Sequence, residues 1–205
     1  TQENGLLLAA PFHTNQLEVI RNICQSLPVG YKLYVKEHPV MFMRGWRPSS
    51  FYKKIMDLPN VKLFHPKFSH EQMLKNCSAV ITISSTAGME AAFYGKPSIV
   101  FVDVIYSMMS SVLKVDSIQQ LPKIIRDALK TKVDMSDVNR FVNHMNKNSF
   151  EFDLFGILSA GSDHFHYGGF LHDVELNDQK ILSFLKTYNS EFQLLFNEHK
   201  KSMSS

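Results

Sequence analysis

The sequence predicts a doubly wound parallel α/β sheet followed by further helices. Short apolar runs alternate with stretches of helical period, in a β-α-β-α rhythm of roughly 20–30 residues per unit, the spacing that short connections between parallel strands give. The strand-like runs are continuously apolar rather than alternating, so both faces of the sheet are expected to be covered. Polar motifs stand where two of these runs end, at Lys36-Glu37-His38-Pro39 and at Ser84-Ser85-Thr86.

In chain order, Leu6 to Ala10 is the first strand, ended by Pro11. Asn15 to Leu27 reads as a helix with Leu17, Ile20, Cys24 and Leu27 on one face, and Asn15 with Glu18 form a capping box. Leu33 to Val35 is the second strand, and Ser49 to Leu58 a short helix bounded by Pro59-Asn60. Val61 to Phe64 is the third strand. Ser69 opens a helix to Cys77, with Gln72 in the reciprocal capping place. Ala79 to Ile83 is the fourth strand. Thr86 to Tyr94 is a helix stopped by Gly95 and Pro97, and Ser98 to Val102 is the fifth strand.

The rhythm then changes. Ser117 to Leu129 is helical on Ile118, Leu121, Ile124, Ile125 and Leu129, and Asp137 to Met145 forms another helix. Phe150 to His172 reads as irregular. Asp178 to His199 is the longest periodic segment, with Ile181, Leu185, Tyr188, Phe192 and Leu195 at helical spacing, and the last six residues read as a frayed tail. The expected organisation is a Rossmann-like domain over residues 1–150, an irregular Gly/His-rich segment over 151–177, and a C-terminal helix over 178–200. That helix packs back on the fold or on a domain outside this chain.

Composition narrows the function classes. The 205 residues are 44% hydrophobic and 20% charged, which suits a globular domain with a core. A net charge of +3 fits an anionic ligand but is too small to argue for nucleic acid. Cys24 and Cys77 fall in apolar helical patterns and read as buried thiols of a reducing compartment. No run reaches a membrane-span length, and no signal peptide opens the chain. The chain starts at Thr1, almost directly in a strand, and reads as a piece of a longer protein. Walker, GxGxxG, GxSxG and HExxH motifs do not occur.

Three hydroxyls in a row, Ser84, Ser85 and Thr86, lie where a buried strand gives way to a helix. They suit a phosphate, because a helix start offers unpaired N–H groups and the positive dipole end, and Gly88 allows close approach. Simple helix capping would need only one of them. Glu90, one turn on, is placed to accept from ribose hydroxyls or to complement the helix dipole. His38 is placed to donate to a phosphate oxygen, Lys36 to add charge, and Pro39 to stiffen the turn. His65-Pro66 repeats the dipeptide after the third strand, and either its backbone meets a nucleotide base or the proline simply ends the strand. His13 faces the same rim, and Tyr106, after the fifth strand, would close the site. His164 and His166, with His172, lack a matched ligand pair and read as a packed loop rather than a metal site. Arg44, Trp46 and Arg47 offer charge for an anionic partner but read first as a solvated loop.

The order "VKEHP", "LPNVKLFHP" and "AVITISSTAGMEAAFYGKPSIVF" resembles the C-terminal domain of capsule polysaccharide biosynthesis proteins. These are GT-B-type bacterial glycosyltransferases, similar in layout to Kdo transferases and to bacterial sialyltransferases with an HP motif and a Ser/Thr motif. The resemblance runs over about residues 5 to 150 and is sharpest from Ala79 to Phe101. It implies that His38 is the catalytic HP-motif histidine contacting the donor phosphate, and that Ser84, Ser85 and Thr86 are the phosphate-binding Ser/Thr motif. Glu90 would lie near the ribose. It further implies a nucleotide-sugar donor, with a CMP-linked sugar as one candidate, and a polysaccharide or glycolipid acceptor. An N-terminal domain of the same protein would supply the catalytic base. The implied setting is cytoplasmic, at the inner face of the membrane through peripheral association. No cofactor and no nucleic-acid partner is implied. A UDP-sugar 2-epimerase, a teichoic-acid-type polyol-phosphate transferase and a non-catalytic binding module of the same fold remain open alternatives.

Overall fold

The computed structural model describes residues 10–38, 47–165 and 177–204. The strand expected at Leu6 to Ala10 lies outside them except for Ala10, which is buried. Pro39, Arg44, Trp46, His166 and His172 also lie outside. The chain divides into two compact units, one up to His144 and one from Met145.

The first unit is the α/β part. After a 3-10 turn at Pro11–His13 come α1 (Gln16–Ser26), β1 (Leu33–Lys36), α2 (Ser49–Met56), β2 (Val61–Phe64), α3 (His70–Asn76), β3 (Val80–Thr82), α4 (Ala87–Phe93), β4 (Ser98–Val100), β5 (Val112–Lys114), α5 (Leu121–Ala128) and α6 (Met135–Lys147). β1 pairs with β2 in parallel, Leu33 opposite Val61 and Lys36 opposite Phe64. A second parallel sheet has the order β3-β4-β5, with Val80 opposite Ser98 and Ser98 opposite Val112. All three residues of β4 are buried, as a strand covered on both faces must be.

The predicted helix starts are chemically real. The Asn15 side chain accepts from the Glu18 N–H and the Ser69 side chain from the Gln72 N–H, each cap contributing about 1 kcal/mol. Gly95 takes a φ of 69° just after α4, the left-handed stop that a Cβ would oppose. Asn60, at φ 60°, turns the chain into β2, and its carbonyl accepts from the Leu33 N–H at 2.8 Å.

α1 contributes to two buried clusters, one against each sheet. Val19 and Ile23 pack with Ile99, Phe101, Val115, Leu121, Ile125 and Ala128, while Cys24 packs with Ile55 and Val61. Each such side chain contributes about 1.5–3 kcal/mol when fully buried.

β5 was not anticipated from the sequence. The crossover from β4 is a string of turns without a regular helix, so no helical period announced a further parallel strand. The helix expected over Ser117 to Leu129 opens instead with a 3-10 turn at Ile118–Gln120, and Pro122 sits in the first turn of α5.

The second unit corrects three expectations. The segment expected to be irregular carries α7 (Leu154–Phe165). Two interior glycines lower its helix propensity, but the Asp153 carboxylate accepts from the Gly156 N–H at 2.8 Å and fixes the first turn. The long helix expected over Asp178 to His199 is two, α8 (Asp178–Thr187) and α9 (Asn189–Ser204), broken at Tyr188. Thr187, Tyr188, Asn189 and Ser190 are all modest helix formers, and the Tyr188 ring packs on Phe184 at 4.8 Å. The tail expected to fray continues α9 to Ser204.

Candidate functional site

A cleft of about 930 Å³ in the first unit is lined by both sheets. Lys36, Glu37 and His38 reach it from the end of β1, and Thr82 to Thr86 from the end of β3. Strands delivering polar residues at their carboxyl ends around one crevice is the arrangement by which open α/β sheets hold ligands.

Glu37 organises the β1 side. Its carboxylate accepts from the His38 backbone N–H at 2.9 Å, from Arg47 Nε at 2.9 Å and from the Tyr52 hydroxyl at 3.3 Å. The side chains of Arg47 and Glu37 are only 12% and 11% exposed, so this is a largely desolvated ion pair rather than a surface one. Arg47 Cζ also stands 4.9 Å from the centre of the Phe51 ring. Burial and the neighbouring Glu37 charge push the Tyr52 phenol above its ordinary pKa, keeping it a proton donor. Arg47 is therefore no solvated loop residue.

The β3 side is held by backbone and packing. The Ser85 N–H donates to Thr82 Oγ1 at 3.1 Å, and Ser85 Oγ accepts from the Ala87 N–H at 3.3 Å. The Gly88 N–H donates to the Ser85 carbonyl at 3.2 Å. The first amides of α4 are thus turned onto Ser85, whose hydroxyl hydrogen stays available to donate. The Thr86 hydroxyl donates to Glu90 Oε1 at 3.2 Å, so its only hydrogen is committed there instead of to a phosphate.

Tyr106 does not line the cleft. It is 2% exposed, and its hydroxyl donates to the Ser85 carbonyl. Burial pushes its pKa up to about 12. A Cβ on Gly88 would come within 2.6 Å of that hydroxyl, so Gly88 is the residue that lets Tyr106 support the turn. The expectation that Tyr106 closes the site is replaced by a role beneath it.

The structure thus brings Lys36, His38, Ser84, Ser85 and Thr86 around one cleft. His65 lines a separate cavity of about 470 Å³, together with Met56, Phe64 and Pro66. There its Nδ1 accepts from the Lys67 N–H at 3.1 Å. Glu37, Arg47 and Tyr52 border both cavities. His13 packs edge-on to Phe101 with ring centres 5.1 Å apart, and burial lowers its pKa. Glu90 does not line the cleft but binds two residues that do, Thr86 and His70, the latter through Nε2 at 3.1 Å.

Sequence reasoning gave no role to Glu37, Tyr52 and His70, and read Arg47 as part of a solvated loop. Glu37 had a signal, a carboxylate between a lysine and a histidine at a strand end. His70 had none beyond following a cap.

His164, on α7, meets the Lys180 carbonyl through Nε2 at 3.0 Å and packs on Phe165 and Phe184. Among the described residues no group of three His, Cys, Asp or Glu side chains is placed to hold a metal ion, and no helix is long and apolar enough to cross a membrane.

A family model described as capsule polysaccharide biosynthesis protein matches residues 11–135, more than half of the chain and all of the cleft. No curated protein and no solved structure matches.

Proposed function

The chain belongs to the capsule polysaccharide biosynthesis protein family, and from that premise we propose that it is the donor-binding domain of a glycosyltransferase. It takes a nucleotide-sugar, a CMP-linked sugar being one candidate, and serves transfer to a growing capsular polysaccharide. The observation that carries this reading is the one cleft joining Lys36 and His38, at the end of β1, to Ser84 and Ser85, after β3.

During transfer the bond between the anomeric carbon and the phosphate oxygen breaks, and its electron pair leaves with the phosphate. Negative charge grows on that oxygen. His38, Lys36 and the Ser84 and Ser85 hydroxyls are the donors proposed to stabilise it, and fixed donors at the point where charge develops are the most effective kind of catalysis available here. Glu37 orients the His38 turn through the backbone N–H. Glu90, outside the cleft lining but bonded to the cleft-lining Thr86 and His70, receives the ribose at the cleft's border. The acceptor hydroxyl loses its proton to a base in the other half of the cleft, on a separate domain. The organisation proposed is a nucleotide-sugar-binding domain over residues 1–150 followed by C-terminal helices, at the inner face of the membrane.

Calorimetric titration of the chain with CMP, UDP and GDP tests this. Selective binding of one nucleotide, weakened at least about tenfold by His38→Ala and by Ser85→Ala, supports the donor site. Absence of binding to all three contradicts it and favours a non-catalytic module.

A further inference from the structure

Resting on the donor-site reading, we infer that His70 is a positioning residue that fixes the Glu90 carboxylate as a reader of the ribose vicinal diol, with Thr86 as its second anchor. Four facts lead there. His70 opens α3 and Glu90 lies in α4, so their contact at 3.1 Å ties two helices together beside the cleft. Thr86 Oγ1 holds the other carboxylate oxygen at 3.2 Å. His70 and Thr86 both line the cleft. The side chains of His70 and Glu90 are each 42% exposed, so a ligand can reach them.

The chemistry follows from counting lone pairs. A carboxylate has about four acceptor positions, two on each oxygen. His70 takes one on Oε2 and Thr86 one on Oε1, leaving one on each oxygen. Two acceptors side by side on a planar group match two neighbouring hydroxyl donors, as the same geometry matches the paired N–H groups of a guanidinium.

Thr86, its hydrogen already given to Glu90, offers a ligand only acceptor lone pairs. The cluster is therefore built to receive hydroxyls, and the phosphate falls to His38, Lys36, Ser84 and Ser85. Against a sugar with a single hydroxyl, the carboxylate keeps one of these acceptor positions without a partner. This is what lets it distinguish ribose from 2′-deoxyribose.

The test titrates the chain with the preferred nucleotide and its 2′-deoxy counterpart, in the wild type, His70→Ala, His70→Gln and Glu90→Gln. The wild type is expected to bind the ribonucleotide at least about tenfold more tightly. His70→Ala and Glu90→Gln should bring the two ligands within about threefold of each other by weakening the ribonucleotide alone. His70→Gln, which can still donate to Glu90, should restore the preference.

A His70→Ala protein that weakens both ligands equally, or keeps the full preference, overturns the inference while leaving the donor site standing. Equal wild-type affinity for the two sugars does the same. Failure of the wild type to bind any nucleotide overturns both.

Discussion

The turn after β1 is held by charge, whereas the turn after β3 is held by packing and backbone hydrogen bonds. On the first, one carboxylate accepts from the His38 N–H, Arg47 and Tyr52. On the second, the Tyr106 hydroxyl donates to the Ser85 carbonyl, and Gly88 makes room for it. The two constructions fail differently. Removing the carboxylate from the first leaves a largely desolvated guanidinium without its ion-pair partner. The second tolerates the loss of one hydrogen bond better than the gain of one methyl group, because Tyr106 is almost fully buried and close-packed side chains yield little.

The largest effect should come from the charged turn. Glu37→Ala is expected to destabilise the fold by about 3 kcal/mol in denaturant unfolding, since Arg47 is left desolvated without its partner. Glu37→Gln keeps the shape and should cost about half as much. Equal and negligible costs for both would show that the charge is not what holds this turn.

On the packed turn, Gly88→Ala should cost about 2 kcal/mol and weaken nucleotide binding in parallel. Tyr106→Phe alone should cost about 1 kcal/mol. Combined, the two should cost less than their sum, because the hydroxyl at 2.6 Å is the nearest clash. Relief is partial, as ring carbons of Tyr106 still stand at 3.0 and 3.1 Å. Strict additivity measured by the double-mutant cycle would place the clash elsewhere.

The smallest effect is set by pH. Asp137, on α6, accepts from the Ser110 N–H and hydroxyl and from Arg140, and these donors hold its pKa down to about 2. A carboxyl whose folded pKa is depressed contributes stability in full above its unfolded value near 4, and that stability disappears as pH falls toward 2. Ser110 lies in the crossover that carries Tyr106, so acid should loosen the packed turn through this contact. In Asp137→Asn the decline between pH 4 and pH 2 should be shallower in a thermal-unfolding series, and an unchanged slope would remove Asp137 from the account.

What the sequence disclosed follows the same division. Strands β1 to β4 and the caps at Asn15 and Ser69 are local, written in apolar runs and in residues three apart, and they were legible. β5 was not, because its pairing with β4 comes through turns whose meaning is set by the sheet they rejoin. Nor was the break at Tyr188, where the apolar spacing continues through a run of modest helix formers and ring packing on Phe184 accompanies the end of α8. α7 was obscured by Gly156 and Gly161.

At the site, Lys36, His38 and the three hydroxyls were visible as motif residues, and the cleft brings them together. Their supports were hidden. Glu37 and Arg47 are ten residues apart, His70 and Glu90 twenty, and Ser85 and Tyr106 twenty-one, separations at which no periodicity links one residue to its partner.

The most direct test of the central claim is a double-mutant cycle across the cleft, measuring affinity for the preferred nucleotide in the wild type, His38→Ala, Ser85→Ala and the double variant. If both turns grip one phosphate, each single change should weaken binding at least about tenfold, and the double should lose clearly less than the product of the two. Losses that multiply, or a variant that binds as the wild type does, would mean that the two strand ends do not share a ligand.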